Sequence, residues 1–187
     1  GDTFVKIAGS FLSPAQIMFF LISGGLIIFT AITLIKGEKL LEHRALSPIL
    51  LLRYCTEMMG LAAMIMGLMK VPLSVVGTVT QASPILVAAG AVIFFKEAVS
   101  WRRWSSIIVG FFGVILVIQP GGQNLDYAVL WAVAALLAFS IRDLVTRLTP
   151  QDIPSASIAT FTMIAAFPFT TAWVFLSGER FFPPGID

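Results

Sequence analysis

Two long apolar runs, residues 71–95 and 104–119, separated by the eight residues KEAVSWRR, leave this chain few options. A helix needs about 20 mainly apolar residues to cross a hydrocarbon core of roughly 30 Å, and both runs approach that length. Their apolar residues lie all round the helix instead of along one stripe, so a soluble fold would expose most of each circumference. The turn between them holds three basic residues and one acidic residue, the charge pattern of a loop at a membrane surface. The stretch reads as a membrane hairpin.

Composition extends that reading to the whole chain. Hydrophobic residues make up 58% and charged residues 12%, against about 25% charged in soluble domains, and the mean hydropathy is +0.95. The net charge of +2 carries no nucleic-acid signal, because the basic residues are dispersed between apolar runs. Cys55 is alone, so no intrachain disulfide can form, and with His43 as the one histidine a histidine-built metal site is not expected. The expected class is an all-α, integral, polytopic helix bundle.

Taken in order, residues 1–9 open in mid-pattern, as if the first part of a helix were cut away, and the chain reads as a fragment. Six spans follow, at residues 14–35, 48–69, 72–95, 104–119, 127–147 and 155–176. The first begins with Ser-Pro, a good helix start. The methionine-rich run 58–69 reads as flexible packing filler, because no other sulfur or histidine converges on it. PGGQNLD is a turn by composition. Placing the 36–46 loop in the cytoplasm puts seven basic residues inside, Lys36, Lys39, Arg44, Lys96, Arg102, Arg103 and Arg147, against Lys6, Lys70 and Arg180 outside. That distribution obeys the positive-inside rule.

Sliding the chain by 141 residues lays 2–38 over 143–179 without a gap. The offset pairs Asp2 with Asp143, Lys6 with Arg147, Ile17 with Ile158, Phe20 with Phe161 and Gly37-Glu38 with Gly178-Glu179. Apolar helices share residues easily, so the weight rests on the polar matches at both ends. The implied repeat contains five helices, and an odd number of crossings inverts the second copy relative to the first.

Three groups of residues could carry chemistry. Arg53 and Glu57 share one face of the second span with Gly60, Met64 and Gly67. Counted from Pro48 at 1.5 Å per residue, Glu57 lies roughly 14 Å deep. The pair either neutralises itself while Arg53 snorkels, or forms a polar wall of a substrate path. On the third span, Gly77, Gln81, Pro84 and Ala88 share a face, with Thr80 and Ser83 beside them. Pro84 frees the carbonyl of Thr80, so this is either a kinked packing face or a lining. Asp2, Lys6, Asp143 and Arg147 are either interface anchors or gates at opposite mouths. No nucleotide-binding glycine loop, metal-ligand pattern or paired nucleophile accompanies them, so no enzymatic activity and no cofactor are expected.

The ordered combination of VPL, QASPIL, AAGA, Glu97, WRRW and VGFFGVILVIQPG over about fifty residues resembles the fourth and fifth helices of EamA-type transporters in the drug/metabolite transporter superfamily. The resemblance implies ten helices in two inverted five-helix halves. Residues 1–122 would be the first repeat, with its first helix truncated, and 123–187 the start of the second. It implies a multi-pass transporter of the plasma (bacterial inner) membrane that moves small organic metabolites by alternating access, ion-coupled or by exchange. In the family the fourth helix borders the central cavity, which raises Thr80, Gln81 and Pro84 as lining residues, and Glu97 matches a motif position. Many relatives carry an arginine in the second helix where this chain has Leu21, so no role of that arginine is carried over. The expected partners are a metabolite and the lipid bilayer, without nucleic acid, and a homo-oligomer is left open. The competing class is a non-transporting membrane protein on the same helices.

Overall fold

In the computed structural model, residues 2–38, 46–96, 100–118, 127–149 and 153–178 are described, without the side chains of residues 103, 114, 117 and 118. Glu97 and the 120–126 turn lie outside the described residues. All regular structure among the described residues is helical: α1 (Asp2–Ala8), α2 (Pro14–Ile35), α3 (Pro48–Lys70), α4 (Leu73–Thr80), α5 (Ser83–Phe95), α6 (Trp101–Ile118), α7 (Val129–Thr146) and α8 (Ser155–Leu176). Among the described residues, five segments are long and apolar enough to cross a membrane, counting α4 and α5 together as Leu73–Phe95, and α6 adds the shorter apolar stretch Trp104–Gly113.

Helix ends follow local chemistry. Ser13 caps α2 by accepting from the Gln16 amide while the Gln16 side chain accepts from the Ser13 amide, and Pro14 occupies the first turn. Ser47 likewise caps α3 by accepting from the Leu50 amide, with Pro48 in the first turn, though without a reciprocal side-chain bond. Beyond the last residues of α2 and α8, Gly37 and Gly178 both adopt φ +67°, a left-handed conformation that suits glycine.

Two boundaries differ from the sequence reading. The third span is not one helix, because Pro84 has no N–H to offer the Thr80 carbonyl. Ala82 N donates instead to Val79 O (3.1 Å) and Ile85 N to Ala82 O (3.0 Å), a tightened turn that separates α4 from α5. Helix α6 begins at Trp101, so Trp101 and Arg102 belong to its first turn instead of to the preceding loop.

Packing relies on small residues at close approaches, as expected where lipid removes any hydrophobic drive between helices. Helix α3 runs antiparallel to α7. Gly60 meets Phe139 and Gly67 meets Ala132, so the contacts climb α3 as they descend α7. Helix α2 runs antiparallel to α8 through Phe19 with Phe167, Gly25 with Met163 and Thr33 with Thr160, whose hydroxyls lie 2.9 Å apart. Val76, Val79 and Ala82 pack with Leu68, Ala132 and Leu136, which joins α4 to α3 and α7. Met58 and Met69 pack in a second cluster around Ile17, Met18, Ile22 and Ile65. Ile35 and Leu176, at the matching ends of α2 and α8, are 85% and 87% exposed, a surface suited to lipid and not to water.

Candidate functional site

Helices α3, α7 and α8 bring four charges and two hydroxyls together. They lie in the half of the bundle nearer the α2–α3 and α7–α8 connections. Arg142 Nη1 donates to Glu57 Oε1 at 2.9 Å and to Oε2 at 3.1 Å. Its Nε donates to Asp143 Oδ1 at 2.9 Å, and its Nη2 lies 2.7 Å from the same oxygen. The guanidinium therefore bridges two carboxylates, and its carbon stands 5.0 Å from the centre of the Phe139 ring.

Arg53 takes a different set of partners. Its Nε donates to Thr146 Oγ1 at 3.0 Å and its Nη1 to Thr162 Oγ1 at 3.2 Å, while Nη2 reaches Glu57 Oε2 only at 4.0 Å. Thr146 donates to Arg142 O (2.7 Å) and Thr162 to Ile158 O (2.8 Å). Each hydroxyl is thus oriented by its own helix and presents its oxygen to Arg53. Two cations and two anions make the cluster formally neutral, which limits the cost of keeping charge in a low-dielectric setting.

The helical spacing of Arg53 and Glu57 does place them on one face, as the sequence indicates. Glu57 nevertheless makes its short bonds to Arg142, a partner that spacing along one helix does not indicate. The signal for it in the sequence is an ionisable residue inside an apolar run beside Asp143, whereas the repeat alignment points to Asp143 and Arg147.

The other candidates fall elsewhere. Thr80 turns its hydroxyl to Val76 O and Gly77 O, and Gln81 and Pro84 are exposed, whereas the buried face of α4 carries Val76 and Val79. The link from this break to α7 is made by Ser83, whose Oγ lies 3.2 Å from Ser140 Oγ. Ser140 is two residues from Arg142.

Lys6 Nζ donates to Leu68 O (2.8 Å) and Val71 O (2.6 Å), two carbonyls at the end of α3 that lack partners within that helix. Asp2 is exposed on α1, and Arg147 is exposed at the end of α7. Lys6 thus sits at the end of α3 opposite the Arg142–Asp143 cluster. A groove of about 480 Å³ lies between α3, α7 and α8, walled by Met58, Met59, Ala62, Trp131, Ala138 and Phe169 among others, and none of the four charged residues lines it. Ala138 and Arg142 lie one turn apart on α7.

Comparison with known proteins points in one direction. The EamA-like transporter family is matched over residues 1–119. The chain is 24% identical over 147 residues to an S-adenosylmethionine uptake transporter of Rickettsia bellii, covering 78% of this chain and 50% of that protein. A transporter of the same name in Rickettsia felis is 24% identical over 78% of this chain and 49% of its own length. A riboflavin transporter of Rhizobium johnstonii is 29% identical over 97 residues, 52% of this chain and 32% of that protein. The chain spans about half the length of the Rickettsia relatives it matches. No solved structure matches it.

Proposed function

The chain belongs to the EamA-like transporter family, and on that premise we propose that it carries a small organic metabolite across the plasma membrane, the inner membrane of a bacterium, by alternating access driven by an ion gradient or by exchange. The observation that carries the reading is the Arg53–Glu57–Arg142–Asp143 cluster. Ionisable side chains inside apolar helices cost about 2.5 kcal/mol or more each on insertion scales, and they usually face a partner or a watery cavity. Here the charges are paired, yet the Arg142 and Glu57 side chains remain 26% and 24% exposed. A solute can therefore compete for them, which a purely structural ion pair would not need to allow.

In this reading Arg53, Glu57 and Arg142 border the substrate path, and Thr80, Gln81 and Pro84 line it at the α4–α5 break. Lys6 with Asp2 and Arg147 with Asp143 serve the two mouths, and Glu97 keeps its family-motif position. Residues 1–122 form one repeat and 123–187 begin its inverted copy. Helices α2 and α8 support that division. Both have 22 residues, begin at Pro14 and Ser155, which are 141 positions apart, and end before glycines at φ +67°.

The names of the relatives bring S-adenosylmethionine and riboflavin to this chain as candidate cargoes. One carries charge and the other is neutral, so they suggest a size class more than a chemical group. The protein acts as a carrier and performs no covalent step. Uptake and efflux by the full-length protein in proteoliposomes, with both compounds and a wider metabolite panel, test this. A cargo moved by wild type and not by Arg142→Gln at equal insertion supports the reading. Failure of every compound in both directions, with inserted and monodisperse protein, overturns it in favour of a non-transporting role.

A further inference from the structure

Glu57 and Gly60 lie one turn apart on α3, and Arg142 and Phe139 lie one turn apart on α7. The four meet as a closed set. Arg142 bonds Glu57, Arg142 stands over the Phe139 ring, and the ring lies where a Gly60 Cβ would be, 2.6 and 2.7 Å from two ring carbons. No side chain fits at position 60 unless the ring moves.

Arg142 has a competing choice. Asp143, its neighbour in sequence, already takes two of its nitrogens and is the more exposed of the two carboxylates, at 41% against 24%. A flexible arginine stem about 6 Å from the helix end could swing outward with Asp143 and leave Glu57 behind. An aromatic face beneath the guanidinium opposes that swing, because its quadrupole attracts the cation where water is scarce.

From this geometry we infer that Phe139, seated in the Gly60 notch, is a positioning residue that keeps Arg142 bridged to Glu57. It acts through Arg142, whose guanidinium lies over its ring. Gly60 has the complementary task of admitting the ring against the α3 backbone. The inference concerns the site on which the transport reading rests, but it predicts a coupling between Phe139 and Glu57 that exists whether or not a cargo moves.

Apparent unfolding midpoints of the full-length protein in detergent measure that coupling. Phe139→Leu, which keeps apolar volume without a ring face, and Glu57→Gln should each lower the midpoint. Together they should lower it by less than the sum, because each disturbs the same Arg142 bridge. In an Arg142→Gln background Glu57→Gln should no longer be a loss, and the effects of the two substitutions, whatever their sign, should become additive; Phe139→Tyr in the otherwise wild-type protein should stay near wild type. If Phe139→Leu does not insert, Phe139→Met takes its place in the cycle. Gly60→Ala should lower the midpoint like Phe139→Leu, and the two together should lower it by less than the sum, since the ring that clashes with the new Cβ is gone, without restoring the coupling to Glu57. Additive losses in the Arg142-containing protein, or coupling that persists without Arg142, would overturn the inference. Transport that fails while the coupling stands would count against the carrier reading alone.

Discussion

Arg142 on α7 chelates both carboxylate oxygens of Glu57 on α3, at 2.9 and 3.1 Å, across a sequence separation of 85 residues. The partner that helical spacing suggests, Arg53, stays 4.0 Å away and spends its short bonds on two threonines. The short ion pair that Glu57 makes among the described residues is therefore interhelical. It ties the segment before the 120–126 turn to the segment after it, which gives the pair a role in holding α3 against α7 as well as in any transport step.

Removing one partner of that pair should cost more than removing both. Glu57→Gln leaves Arg142 with Asp143 alone, and Arg142→Gln leaves Glu57 without a short-range cation. Either change should destabilise by about 2 kcal/mol, less than the roughly 3–5 kcal/mol of a fully buried pair, because both side chains keep some exposure. The Glu57→Gln, Arg142→Gln double variant should regain much of the loss, read as apparent unfolding midpoint in detergent. Recovery of stability without recovery of transport separates a path role from a neutralising one. Full transport by the double variant would remove these residues from the path.

Much of the bundle is legible in the sequence for physical reasons that can be named. The spans at 14–35 and 155–176 coincide with α2 and α8, because Ser-Pro and Ile-Pro-Ser starts and glycine stops punctuate long apolar runs. The presence of a disturbed backbone at Pro84 follows from its missing N–H, though the two-helix outcome depends on how Ala82 and Ile85 redirect their amides. The partner of Glu57 is a different kind of fact. Spacing within one helix follows from 3.6 residues per turn, whereas Arg142 reaches Glu57 through the register in which α7 closes on α3, with the Phe139 ring against Gly60. Residues that match across the 141-residue offset stand out in the sequence. Arg142, which pairs with Gly1 in that offset, does not.

Lys6 should prove structural as well as positional. Its ammonium caps the Leu68 and Val71 carbonyls, so Lys6→Met, which keeps the apolar stem, removes two charge-assisted bonds and should cost about 2 kcal/mol. Amide exchange should quicken over residues 67–71, where Val71 N bonds Gly67 O. Lys6→Arg should retain most of the protection. Unchanged exchange in Lys6→Met would mean that the carbonyls find water equally well.

The loop charges make a topological prediction. Loops 36–46, 96–103 and 148–154 should share the cytoplasmic side, and 120–126 should lie opposite. In a Cys55→Ala background, single cysteines at positions 40 and 123 should react with a membrane-impermeant reagent from opposite faces. Cys55 is exposed, so the background substitution is needed to silence it. Labelling of both positions from one face would contradict the alternation of spans.

Glycine substitutions at the matched helix ends give the last prediction. Gly37 and Gly178 follow α2 and α8 at the same φ of +67°, where a Cβ costs roughly 1–2 kcal/mol whatever the space around it. At both positions a Cβ would meet nothing within 4 Å among the described residues, so backbone strain is the expected penalty at both sites and should be similar. Gly37→Ala and Gly178→Ala should therefore lower the apparent midpoint by comparable amounts, and the two losses should add. Gly37→Asn and Gly178→Asn should lose less, because asparagine tolerates the left-handed region. Gly24 provides the control: it sits inside α2 with open space around it, so Gly24→Ala should be neutral or stabilising by up to about 1 kcal/mol. A loss at Gly37 without one at Gly178 would show that the two helix ends are not equivalent, and would count against treating α2 and α8 as copies of one element.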